Sequence, residues 1–199
     1  MEFYNTLAQT GQAEFKDRGS RFIAYAFPIN SVDEFKKCLA DLKKEHPKAV
    51  HHCFAWRIGV DGNQFRVSDD GEPSGTAGRP ILGQIDSKNL TNVCIIVVRY
   101  FGGTLLGVPG LINAYKTSAT LVLQVVPITQ KAITKQFSLQ FDYTQMNDIM
   151  LVLKQLQVEI LRQESQLFCQ MTIAVATNKE AELIYRLNNL RNVEVVKIV

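Results

Sequence analysis

Apolar residues in the last third of the chain recur at two alternating periods. Phe137, Leu139 and Phe141 alternate with polar neighbours, which predicts a half-buried strand over 135–141. Met146, Ile149, Val152, Leu153 and Leu156 then fall on one helical stripe within 145–157. "VEIL" (158–161) and "LFCQMTIAV" (167–175) read as two strands, with the polar "RQESQ" between them as a hairpin. Leu183, Ile184, Leu187 and Leu190 form a second helical stripe, and "VEVVKIV" (193–199) closes as a strand. The order βαββαβ is that of the split-βαβ, ferredoxin-like unit. It is complete by itself, so 135–199 is expected to be a domain.

The earlier residues are mixed as well, which makes the whole chain α+β. A hairpin is predicted around Asp17–Ser20, with its second strand running through Ile29. "SVDE" (31–34) has the form of a capping box and opens a helix whose stripe is Phe35, Cys38, Leu39 and Leu42, ending near His46-Pro47. "VHHCFAWRIG" and "QFRV" read as strands joined at "VDGN". Further helices are expected after Thr76 and from Pro109 to Leu123. Between them "NVCIIVVRY" is apolar throughout, so it should be a central strand covered on at least one face. Residues 1–127 are expected to form the first domain, and "VVPITQKAIT" (125–134) to be the crossover to the second.

Composition narrows the function classes. A hydrophobic content of 46% supports a real core. The net charge of +3 lacks the strongly basic footprint of a dedicated nucleic-acid binder. The first residues carry no basic-then-apolar export signal, and no apolar run is long enough to span a membrane. Cys38, Cys53, Cys94 and Cys169 lie far apart in apolar stretches and read as buried free thiols, with no disulfide or zinc spacing. The expectation is a cytoplasmic protein without membrane association.

Ten of the twelve glycines lie between Gly59 and Gly110, concentrating attention on two stretches, "VSDDGEPSGTAGRPIL" (67–82) and "VVRYFGGTLLGVPGLINAY" (97–115). Each follows a predicted strand and enters a predicted helix, where free N–H groups and a positive dipole end favour anions. Arg79 and Arg99 would add bidentate contacts. The nucleotide signatures fail, however. Gly102 to Gly107 has the Walker spacing, but Val108-Pro109 stands where Lys-Ser/Thr is required, and no GxGxxG occurs. No nucleotide or other cofactor is expected.

Structural roles compete with each functional reading. Ser74 and Thr76 suit helix caps, and Asp69, Asp70 and Glu72 suit partners for Arg79, Arg99 or helix N–H groups. His51 shares a strand face with Cys53, Ala55 and Arg57, while His52 points away, so no second histidine completes a metal site. A hydrolase would need His51 to converge with Asp69, Asp70 or Glu72. No matched nucleophile is present, so no catalytic residue and no metal are assigned.

"SDDGEPSGTAGRPIL" together with "VVRYFGG" and the following glycines, preceded by "HHCFAWRIG", resembles the YigZ/IMPACT family. The match runs through His51, Cys53 and Arg57, then Ser68 to Arg79, then Arg99, Tyr100, Phe101, Gly102, Gly103, Gly107, Gly110 and Tyr115. Leu105 stands where the family generally has lysine, Pro109 where it has glycine and Asn113 where it has arginine. The resemblance implies a first domain of the ribosomal protein S5 second-domain type (S5 domain 2-like) followed by a ferredoxin-like domain. That pairing is similar to the last two domains of elongation factor G. Eukaryotic relatives resemble translation regulators that restrain the kinase responding to amino-acid starvation, using an RWD module not visible in these residues. The combined expectation is a non-catalytic binding protein contacting the ribosome, structured RNA or a translation-linked protein. The expected binding surface is a polar concavity built from His51, Arg57, Asp69, Asp70, Glu72, Ser74, Thr76, Arg79, Arg99, Tyr100, Gly102 and Gly103.

Overall fold

The computed structural model describes residues 2–165 and 168–198. The chain divides into two compact units, one spanning Tyr4–Lys131 and one formed from Ala132 onward that also takes in the N-terminal residues as far as Phe3.

As far as Ala132 the strands are β1 (Phe3–Leu7), β2 (Gly11–Asp17), β3 (Ser20–Pro28), β4 (His51–Ile58), β5 (Gln64–Ser68), β6 (Val93–Tyr100) and β7 (Ile128–Ala132), all within the first unit except the end residues Phe3 and Ala132. The helices are α1 (Val32–Glu45), α2 (Gly78–Ser87) and α3 (Gly107–Val125). Five strands form an antiparallel sheet in the order β2-β3-β6-β4-β5. The apolar run of β6 is explained by burial on both faces. Val93, Ile95 and Val97 pack with Ile81 and Ile85 of α2 and Leu111, Ala114 and Tyr115 of α3. Cys94, Ile96 and Val98 pack on the opposite face with Phe35 and Leu42 of α1. Strand alternation therefore decides which layer each β4 and β6 side chain enters.

Local chemistry sets the ends of these elements. Ser31 Oγ accepts from the Glu34 N–H at 3.2 Å, and Glu34 Oε2 accepts from the Asn30 N–H at 2.9 Å, so the capping box closes one residue early. The β2–β3 turn places Arg18 and Gly19 at positive φ, as a tight hairpin demands. The segment expected to be a bare crossover is in part the strand β7, which pairs with β1 in a separate two-stranded ladder. No apolar alternation advertises either strand: in β1 the two buried residues, Thr6 and Leu7, are adjacent, and β7 is short and largely exposed.

The second unit holds β8 (Thr134–Phe141), α4 (Met146–Leu156), β9 (Glu159–Ser165), β10 (Cys169–Ala176), α5 (Glu180–Asn188) and β11 (Val193–Ile198). The antiparallel sheet runs β11-β8-β10-β9. Phe137, Leu139, Phe141, Met171, Ile173 and Val175 meet Ile149 and Leu153 of α4 and Leu183 and Leu187 of α5 in one core. β9 is longer than its apolar pattern predicts. Arg162–Ser165 belong to the ladder, and being at an exposed sheet edge they need no apolar side chains. The hairpin connection expected over 162–166 is therefore strand in its first four residues; Gln166, with Leu167 and Val199 as expected strand ends, lies outside the described residues. Among the described residues no helix is long and apolar enough to cross a membrane.

Candidate functional site

The segment after β5 is organised by its acids. Asp69 turns its carboxylate onto the start of α2: Oδ1 accepts from the N–H groups of Ala77 at 3.0 Å and Gly78 at 2.9 Å, and Oδ2 from Gly75 at 2.8 Å. Ala77, the N-cap residue, has no side chain able to do this. Burial raises the Asp69 carboxyl, but the three N–H donors and the Arg79 charge outweigh it and hold it below its ordinary value. Asp70 adopts φ 41°, a left-handed conformation, with Gly71 following at φ 89°. This lets the Asp70 carboxylate accept from the His52 N–H at 2.6 Å while its carbonyl meets His51 Nδ1 at 2.7 Å. A carbonyl only accepts, so His51 Nδ1 carries the proton and Nε2 is the acceptor in the neutral ring.

Glu72 is drawn inward. Its Oε1 accepts from Arg99 Nη1 at 2.5 Å and from the Tyr115 hydroxyl at 2.7 Å, and the ion pair is 6% and 4% exposed. The Arg99 guanidinium lies 5.3 Å from the Phe22 ring and 5.6 Å from the Phe101 ring. Its Nη2 is 3.5 Å from Ser20 Oγ, and its Nε is buried with no hydrogen-bond partner among the described residues. His51 Nε2 is 3.9 Å from Glu72 Oε1, beyond hydrogen-bond range. Cys53 Sγ lies 3.0 Å from the Asp69 carbonyl and 3.3 Å from the Tyr115 hydroxyl. Burial pushes this thiol far above its ordinary pKa, so it is not a poised nucleophile.

These groups form the polar floor of a cavity of about 390 Å³. The floor is His51, Glu72 and Arg99; the walls are Val50, Pro73, Phe101, Leu105, Leu106, Val108 and Leu111, with Gly107 at the loop end. The second glycine-rich stretch thus supplies apolar surface. Gly102 is required for contact with the β2–β3 turn: a Cβ there would fall 1.9 Å from the Gly19 carbonyl carbon. The Gly102 N–H donates to Ser20 Oγ at 3.2 Å, and Gly103 follows at φ 86°.

The residues proposed from sequence do not all converge. His51, Glu72 and Arg99 meet at the cavity. Asp69 and Asp70 serve backbone N–H groups, and the Thr76 hydroxyl donates to the Pro73 carbonyl at 2.6 Å. Ser74 and Arg79 are exposed, and no ion pair of Arg79 occurs among the described residues. Arg57 sits at the far end of β4, where it pairs with Asp86 at 2.7 Å and lies over Phe65. Tyr100 enters the α1 layer, its hydroxyl 2.9 Å from His46 Nδ1, because β6 alternation turns it away from Arg99. Arg99 itself is a buried structural pair and not an open anion clamp. Sequence reasoning missed the apolar walls; the signal was the unbroken Leu105-Leu106 and Val108 inside a stretch read for glycine and charge.

Comparison with known proteins fits this architecture. The model of the Impact N-terminal domain matches residues 18–123, which covers β3 through most of α3. The chain is 36% identical to the IMPACT family member YigZ of Escherichia coli over 170 residues, 84% of this chain and 83% of that protein. It is 35% identical to the IMPACT family member YvyE of Bacillus subtilis over 73% of this chain and 67% of that one. A crystal structure titled as that of a hypothetical protein superposes with a TM-score of 0.80 at 32% identity, covering 100% of this chain and 98% of the other. With the domain model covering more than half of its residues and relatives aligned along most of its length, the chain belongs to the IMPACT family.

Proposed function

We propose that this chain is a non-catalytic, translation-associated binding protein that docks a translation-linked protein partner in the cytoplasm. On this reading 1–127 is an S5 domain 2-like domain and 135–199 a ferredoxin-like domain. The strand order β11-β8-β10-β9, with two helices on one face, supports the second assignment. The translation link rests on the family resemblance and on the likeness of this domain pair to the end of elongation factor G.

One observation carries the choice of a protein over ribosomal or other structured RNA: the cavity bordered by both glycine-rich stretches is walled by apolar side chains, and Arg99, the one cation lining it among the described residues, is already paired with Glu72. Phosphate recognition needs unpaired cations or free N–H groups. Exposed Leu105, at 82%, and Val108, at 51%, instead resemble the apolar centre of a protein interface. Hydrolysis is disfavoured because, among the described residues, His51 reaches neither a nucleophile nor a carboxylate within hydrogen-bond distance.

The test is affinity capture from lysate with and without nuclease, for the wild type and Leu105→Asp, with captured components identified by mass spectrometry. The expected result is a translation-linked protein retained after nuclease treatment and lost from the variant. Capture abolished by nuclease and indifferent to Leu105→Asp would overturn the reading.

A further inference from the structure

The chemistry of the cavity floor specifies more than a general apolar contact. Arg99 and Glu72 are both more than nine-tenths buried and cancel each other's charge. His51 has committed Nδ1–H to the Asp70 carbonyl. Acceptor capacity remains: the hydrogen bonds of Glu72 among the described residues all go to Oε1, leaving Oε2 as an acceptor, whereas Arg99 Nε is too deeply buried to reach a ligand. His51 Nε2 adds a second acceptor. A floor with acceptor capacity but no net charge suits a neutral N–H donor, such as a peptide amide. A charged ligand would enter without a counter-charge and lose its hydration, which is costly. The walls and a volume of about 390 Å³ suit one medium-sized apolar side chain with its flanking amides.

We infer that the cavity is a subsite for an apolar residue inside a partner's polypeptide: a leucine- or phenylalanine-sized side chain against Phe101, Leu105, Val108 and Leu111, with the N–H groups of its uncharged flanking amides toward Glu72 and His51. The inference rests on the protein-docking reading above and names the chemistry of the docked segment.

Fragments test it without knowledge of the partner. The full-length protein, uniformly labelled with nitrogen-15, is titrated with N-acetyl-leucinamide and followed by amide chemical shifts. Parallel titrations use N-acetylglycinamide, the N-acetyl-leucine carboxylate and the leucinamide cation. N-acetyl-leucinamide is expected to bind with a dissociation constant on the order of millimolar, as suits about a dozen heavy atoms. Shifts should centre on the amides of His51, Glu72, Phe101 and Leu105. The glycine analogue should bind at least about tenfold more weakly, since the buried isobutyl group is absent. Both charged analogues should also bind about tenfold more weakly. Leu105→Asp, on an exposed side chain, should weaken the neutral fragment by a similar factor with an unchanged unfolding midpoint.

Preferential binding of the carboxylate would overturn the inference in favour of an anion site. Equal binding of the glycine analogue would overturn it in favour of a polar site, and shifts elsewhere or none would remove the subsite. If fragments fail while nuclease-resistant partner capture persists, the docking reading stands and only this assignment falls.

Discussion

Replacing Arg99 with methionine separates a structural ion pair from an anion-binding arginine. The change keeps much of the aliphatic bulk beside Phe22 and Phe101 but removes the cation from Glu72. The carboxylate, 4% exposed, would then keep one donor, the Tyr115 hydroxyl at 2.7 Å. Leaving one partner of a buried pair uncompensated costs about 3–5 kcal/mol. For a unit of this size that is a fall in midpoint of roughly 10–20 °C. The single tryptophan, Trp56, is buried in the α1 layer of the same unit, so guanidinium titration read by its fluorescence reports this unit. The double variant Arg99→Met, Glu72→Gln should recover much of the loss, because no charge is left buried. A single variant within about 1 kcal/mol of the wild type, or a double variant as unstable as the single, would refute the pairing argument.

Asp69→Ala should cost about 1–2 kcal/mol, because it frees N–H groups at the start of α2. The lowered Asp69 carboxyl contributes stability that is present above its unperturbed value of 3.8 and lost as pH falls through the lower folded value, so denaturation from pH 7 to 2 should show a flatter acid limb in the variant. Among the thiols, the half-buried Cys38, drawn down to about 7 chiefly by a hydrogen bond from Cys94, should be the first alkylated by iodoacetamide at pH 8, with Cys53 and Cys94 protected; peptide mass mapping gives the order. Gly102→Ala should destabilise the first unit by about 1–3 kcal/mol in the same fluorescence titration, because its Cβ meets the backbone at Gly19. Residues 132–199 expressed alone should unfold cooperatively in calorimetry, since their core is complete; a broad, non-cooperative trace would count against the proposed domain.

What the sequence reveals depends on whether the signal is local. Phe137, Leu139 and Phe141 face one core, and their period of two announces β8 directly. The β4 alternation likewise places His51, Cys53 and Arg57 on one face and His52, Phe54 and Trp56 on the other, as found in the sheet. β1 and β7 carry no such period, because the buried Thr6 and Leu7 of β1 are neighbours and β7 is mostly exposed, and only pairing across more than 120 residues makes them strands. The Glu72–Arg99 bond joins positions 27 apart; the sequence offers Glu72 as one of three acids for Arg79 or Arg99, but not which acid pairs with which arginine or that the pair is buried. Asp70 reads as a partner for an arginine or a helix N-terminus, yet its left-handed backbone makes it the residue that orients His51. The cavity walls were hidden for another reason: Leu105 and Val108 sit among glycines, where apolar residues follow no helix or strand period.

Photocrosslinking from position 105 tests the central claim most directly. With benzoylphenylalanine in place of Leu105, irradiation in cells is predicted to give an adduct that resists nuclease, is digested by protease and contains a translation-linked protein. An adduct removed by nuclease, or none formed while the variant remains folded, would contradict the proposal that this cavity docks a protein.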